Sequence, residues 1–213
     1  MNIAQKLTAI AENQQKVFNA GFAQGKANSG GYDEGFAQGQ QAEYDRFWAV
    51  FQDNGGNYEM AFGSPGWTDE TYNPKQPIIC TQGSAGNLFR NAKITNTKQP
   101  IEIRVASADN VFLDCTELKT IPYIGFFGVT SNSSFFARCS KLENITFDGE
   151  IKAGIGLNHC PKLTSASIQS IIDHLADLTG QTTKTIRIHA DTGAKLTEAQ
   201  KATITAKNWT LAY

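Results

Sequence analysis

At 213 residues the chain is about 1.4 times a typical ~150-residue domain, so one elongated domain or a domain with an appendage fits. It is 40% hydrophobic and 18% charged, and 19 Lys+Arg against 20 Asp+Glu leave a net charge of -1. That balance argues against nucleic-acid and anionic-membrane partners, both of which demand a basic excess, while 13 phenylalanines argue against global disorder.

Residues 1–51 read as a helical arm. Ile3, Leu7, Ile10 and Val17, with Gln14 filling the gap, follow the 4-3-4-3 spacing of a coiled-coil seam with one polar layer. Gly21-Phe22-Ala23-Gln24-Gly25 recurs 14 residues on, as Gly35-Phe36-Ala37-Gln38-Gly39, across a break at Asn28-Ser29-Gly30-Gly31. Tyr44, Phe47, Trp48 and Phe51 form an aromatic stripe at helical spacing. So narrow an apolar face buries little by itself, which points to homo-oligomerisation, a trimer for preference, over helices folded back on the rest of the chain. The first residues have no continuous apolar run, so no signal peptide is expected. The chain then stays in the cytoplasm of its maker, leaves by lysis, or has lost a leader. No segment reaches the ~18 apolar residues of a membrane span; the most apolar stretch, Tyr123 to Val129, is broken by Gly125 and Gly128.

Residues 52–77 are a Gly/Pro-rich connector whose Tyr58, Phe62, Trp67 and Tyr72 are expected to cap the first repeat. From residue 78 to residue 168 the chain repeats itself. Asn91, Cys115, Cys139 and Cys160 stand 24, 24 and 21 residues apart. An apolar residue precedes each by three (Leu88, Phe112, Phe136, Leu157) and another follows by three (Ile94, Leu118, Leu142, Leu163). Lys75-Gln76-Pro77-Ile78 reappears as Lys98-Gln99-Pro100-Ile101, and a proline recurs at Pro122; each is expected to open a short strand, because proline cannot donate to a strand ladder. Units this short cannot bury their own apolar face, so they are expected to stack as a β-solenoid sharing one core. The cysteines fit two disulfides in three connectivities by count, but their repeat spacing favours an interior ladder of small side chains and disfavours zinc.

The C-terminal segment, 169–213, carries helical spacing at Ile168, Ile171, Ile172, Leu175 and Leu178, ended by Gly180. A strand at Thr185 to His189 comes next, then a capping box at Thr197-Glu198-Ala199-Gln200, and a last strand at Trp209-Thr210-Leu211. This β-α-β-α-β ending would close the exposed edge of the stack.

The pattern Phe-x-x-Cys-x-Lys/Glu-Leu-x-x-Ile, at Phe112 to Ile121 and Phe136 to Ile145, resembles the BspA-like leucine-rich repeat over roughly Ile78 to Ile168. Two units depart from it: the first has two extra residues between Asn91 and its proline, and the last has Ala166 where Ile is expected. The family serves adhesion and recognition, so the resemblance implies an α+β repeat protein and no catalysis. The ending Ala194-Lys195-Leu196-Thr197-Glu198 through Asn208-Trp209-Thr210-Leu211, with the Gly-Phe-Ala-x-Gly style of the arm, is similar to leucine-rich-repeat structural proteins encoded in phages and prophages of Gram-positive gut bacteria.

No catalytic or nucleotide-binding motif accompanies the three histidines, His159, His174 and His189. Asp173-His174 and His159-Cys160 are neighbours in sequence whose side chains point apart. No metal or cofactor is expected. What remains is surface: by strand alternation Lys119, Thr120, Glu143, Asn144 and Thr146 face outward, and Phe126 and Phe127 are candidate aromatic anchors. The expected function is a virion component, released by lysis, that oligomerises or attaches to other virion proteins through its arm. Its repeats would present a recognition surface to a host protein or glycan. A surface adhesin and a solenoid-based glycan hydrolase are the alternatives.

Overall fold

A computed structural model of the chain describes residues 62, 63, 65–70, 72, 74 and 77–213. The helical arm over 1–51, its oligomerisation and the capping role of Tyr58 lie outside the described residues. Those described have mixed α/β content, with two parallel sheets and few helices.

The first sheet holds β1 (Ile78–Cys80), β2 (Ile101–Ile103), β3 (Thr120–Phe126) and β4 (Asn144–Gly149), in chain order and all parallel. The first two strands alternate: Ile78, Cys80, Ile101 and Ile103 are buried, while Ile79 is exposed and Glu102 half-buried. Ile78 pairs with Ile101, Ile101 with Ile124 and Ile124 with Phe147, so the repeat seen in sequence is a ladder in space. Parallel neighbours need a long crossover, and the connections here are built of tight turns with left-handed corners at constant positions. One corner column is Asn87, Asn110 and Ser134, with φ of 58°, 60° and 52°. A second is Asn91, Asp114 and Arg138, with φ of 66°, 65° and 61°.

That second column corrects the repeat register. Asn91 N–H donates to Leu113 O as Asp114 N–H donates to Ala137 O, so Asn91 is a corner residue and Ala92 heads the cysteine column. Asparagine tolerates the left-handed corner and a buried ladder favours a small apolar group, which is why each stands where it does. The first unit is one residue shorter between Ala92 and Ile94 than the next between Cys115 and Leu118, and that deletion disguised the shift. A second correction concerns Pro122. Pro77 and Pro100 directly precede their strands, but Pro122 lies inside β3, where the register slips between Ile121 and Ile124. It occupies a bulge, the other sheet position that spares a missing N–H.

All four cysteines are free and buried. The Sγ–H of Cys115 donates to Phe89 O (2.9 Å), that of Cys139 to Phe112 O (3.0 Å) and that of Cys160 to Phe136 O (3.7 Å). Each of those carbonyls also accepts from the backbone of its own turn, at Ala92, Cys115 and Cys139. The phenylalanines stack in turn: Phe62 on Phe89, Phe89 on Phe112 and Phe112 on Phe136, with centroids 5.0, 5.2 and 5.8 Å apart and planes within 17°. Phe62 and Tyr72, expected as caps, are both buried against Phe89.

The second sheet holds β5 (Ile155–Leu157), β6 (Lys184–Ile188) and β7 (Trp209–Ala212), again parallel and in chain order. Helix α1 (Ser165–Asp173) joins the first two, while α2 (Ala190–Gly193) and α3 (Glu198–Ala206) join the last two. The helix-and-strand ending thus carries one short helix more than expected, and β5 joins its sheet. The capping box is present, with Thr197 and Gln200 satisfying each other's N–H groups. Helix α1 stops at Asp173, before the expected Gly180, because Leu175 forms a parallel bridge with Ile151. Its Ser167 and Ser170 hydroxyls accept from the N–H groups of Ile145 (2.9 Å) and Phe147 (2.8 Å), covering the outer edge of β4. No helix among the described residues is long and apolar enough to cross a membrane.

Candidate functional site

The exposed face of the four-stranded sheet gathers most of the outward residues expected from sequence. Thr120 and Asn144 are opposed across β3 and β4. Lys119 and Glu143 stand just before those strands, where Glu143 N–H donates to Lys119 O (2.9 Å), and Thr146 is exposed on β4. Phe127, 39% exposed, lies past the other end of β3, about 20 Å away at the usual rise per strand residue. The structure therefore brings Lys119, Thr120, Glu143, Asn144 and Thr146 together and sets Phe127 apart from them.

Phe126 is a correction. It is 1% exposed and packs edge-on against Phe135 and Phe147, so it belongs to the core and cannot anchor a partner. Consecutive strand residues face opposite ways, so burying Phe126 is what turns Phe127 outward.

Around Phe127 stand groups that outward alternation from Lys119 and Thr120 did not reach. Phe127 N–H donates to Ile103 O and Arg104 N–H to Cys80 O, which places Phe127, Arg104 and Thr81 side by side in one row. The Arg104 guanidinium carbon is 5.2 Å from the Phe127 ring centroid. Arg104 also donates from Nε (2.9 Å) and Nη2 (2.6 Å) to Glu102 Oε2. The next row is Ile79, Glu102, Gly125 and Asp148. A Cβ at Gly125 would lie 2.3 Å from Phe127 Cε2, so the bare glycine is the seat on which the ring rests. Tyr123, turned outward by the Pro122 bulge, donates its hydroxyl to Asp148 Oδ2, and Gly149 N–H donates to Asp148 Oδ1 (2.7 Å). The Tyr123 hydrogen bond holds the Asp148 carboxyl below its usual range, and the same bond pushes the Tyr123 phenol up to about 12. The alternation Ile101-Glu102-Ile103-Arg104 carried the signal for Glu102 and Arg104; Tyr123 was hidden by the bulge, which reverses the expected parity.

The chain matches no family model, no curated protein and no solved structure.

The histidines share no chemistry with one another, though His174 stands near enough to Asp148 to help hold its carboxyl down. His159 is exposed beside buried Cys160, His174 Nδ1 lies 2.7 Å from Ser170 O, and His189 caps α2 by accepting from Asp191 N–H (3.2 Å). Burial pushes the Cys160 thiol up to about 12, the opposite of what a nucleophile requires. No group of three or more metal-ligating side chains occurs among the described residues. A void of about 10 Å³ between the second sheet and its helices is lined by apolar side chains, Leu157, Ile171, Ile186 and Ile204 among them, and offers neither room for a ligand nor the polar partners a water needs.

Proposed function

We propose that the protein is a non-enzymatic leucine-rich-repeat solenoid of the BspA-like kind, acting as a phage or prophage virion component whose outer sheet face recognises the host. The observation that carries this reading is the parallel pairing of β1 to β4 in chain order at a near-constant offset. It makes a flat, side-chain-built face above a core filled by repeated positions. Repeat stacks commonly use such faces for recognition, and the aromatic residue ringed by polar groups at Phe127 supplies an anchor. The arm over 1–51 is the oligomerising and attaching part, joining the virion as a trimer.

The test has two readouts. Particles purified by density gradient from an induced lysate of the source lysogen are expected to contain the chain, detected by mass spectrometry. The labelled full chain is expected to bind intact host cells and to run at the mass of a trimer in light scattering. Recovery only in the cell envelope would replace the virion reading with the adhesin, and release of reducing sugar from host polysaccharide would replace it with the hydrolase.

A further inference from the structure

We propose that the patch around Phe127 binds an uncharged glycan, an inference that rests on the recognition role of the outer face. Seven of the eight described phenylalanines are buried, so the exposure of the eighth is not a by-product of an aromatic-rich composition. Its ring is seated rather than loose, because it lies in the space that a Cβ at Gly125 would fill. A pyranose ring has an apolar C–H face that packs on an aromatic ring and a rim of hydroxyls that both donate and accept. The patch supplies each counterpart. Asp148, oriented by Tyr123 and Gly149, offers fixed acceptor oxygens, and Arg104, held by Glu102 through Nε and Nη2, keeps Nη1 for donation.

Charge selects within the glycans. Glu102 pairs with Arg104 (2.6 Å) and Glu150 with Lys152 (2.8 Å), which leaves the negative Asp148 as the patch's uncompensated charge, one that repels rather than attracts a sulfated or uronic-acid polymer. Topology disfavours a peptide strand. Phe127 comes directly after β3, an interior strand with β2 on one side and β4 on the other, so no unpaired backbone edge is offered for strand addition there.

The experiment binds labelled full chain to host cells that have been treated with periodate, which cleaves vicinal diols, or with a broad protease. An array of printed neutral and anionic oligosaccharides is then probed with the same chain. Binding is expected to survive protease, to be lost after periodate, and to change less than about twofold when salt rises from about 0.05 to about 0.5 M. Phe127→Ala is expected to weaken binding about tenfold or more, and Gly125→Ala to weaken it comparably by pushing the intact ring off its seat. Unchanged melting temperatures identify both as folded. Loss after protease, preference for the anionic probes, or indifference to both substitutions overturns the glycan inference and leaves the virion reading standing. A chain found in virions that binds no cells overturns the recognition role, and the glycan inference with it, and leaves only the virion location standing.

Discussion

The buried thiols set a pH limit on this protein. Burial pushes the Cys115 and Cys160 thiols up to about 12, and raises those of Cys139 and Cys80 as well, from an ordinary value of 9.0. A thiol that holds its proton more tightly when folded contributes stability that is complete below about pH 9. That contribution is lost as pH climbs through the interval up to about 12, because only the unfolded chain releases the proton there. Each such thiol lowers the unfolding free energy by up to about 1.4 kcal/mol per pH unit in that window. Urea midpoints measured from pH 7 to 11 are expected to be flat and then fall, and Cys139→Ala should reduce the slope. At pH 8 a thiol reagent should label none of the four cysteines until urea opens the fold. A neighbouring column makes a prediction of opposite sign. Backbone donation from Ala85 to Ser107 and from Ala108 to Ser131 puts Ala85, Ala108 and Asn132 in one buried column. Asn132 Nδ2 is buried without a hydrogen-bond partner. Since a buried unsatisfied donor costs roughly 1–3 kcal/mol, Asn132→Ala is expected to be neutral or stabilising by up to about 1 kcal/mol despite the volume it removes. A clear drop in the unfolding midpoint would contradict it.

At the scale of elements, the join between β4 and α1 is the informative contact. An exposed strand edge is a hazard, and here two serines of a helix take the place of a fifth strand. Ser167 accepts from Ile145 N–H and donates to Glu143 O (2.9 Å), so its one hydroxyl settles two backbone groups of the edge. Ser167→Ala is expected to cost about 1–3 kcal/mol in urea unfolding, and the double variant with Ser170→Ala to raise the tendency to associate, measured by light scattering. The helix was legible from its isoleucine spacing, because periodicity reports which face is buried. Its serines were not, because a small hydroxyl residue on a helix has the same look in sequence whether it meets water or a strand edge. Proline was misleading for a related reason. A missing N–H is tolerated both at a strand's first residue and in a bulge, and only the partner strand decides between them. That choice moved Tyr123 to the outer face and into contact with Asp148, leaving half of the candidate patch unread.

For the whole molecule, the core is one column of rings that crosses every turn from Phe62 to Phe136. Phe112 stands mid-column, touching Phe89, Phe135 and Phe136, so Phe112→Ala is expected to cost about 3–5 kcal/mol. The loss should register in circular dichroism as earlier unfolding of the entire four-stranded sheet rather than of one turn. The existence and offset of the repeats were legible because identical environments recur and demand similar residues. The exact register at the first unit was not, because Asn91 and Ala92 each satisfy part of the pattern and a one-residue deletion lets either fit. That deletion has a consequence for how such a chain changes over generations. The strands pair residue for residue, so a single insertion within β1, β2 or β4 would turn the rest of that strand's side chains inside out. The irregularities the chain does carry, among them the missing residue between Ala92 and Ile94, the extra one at Pro122 and the short spacing from Cys139 to Cys160, fall at corners, in a bulge or between strands. Length variation is thus confined to a few permissive joints, and any larger growth has to come as copies of a complete unit, by duplication of its coding segment.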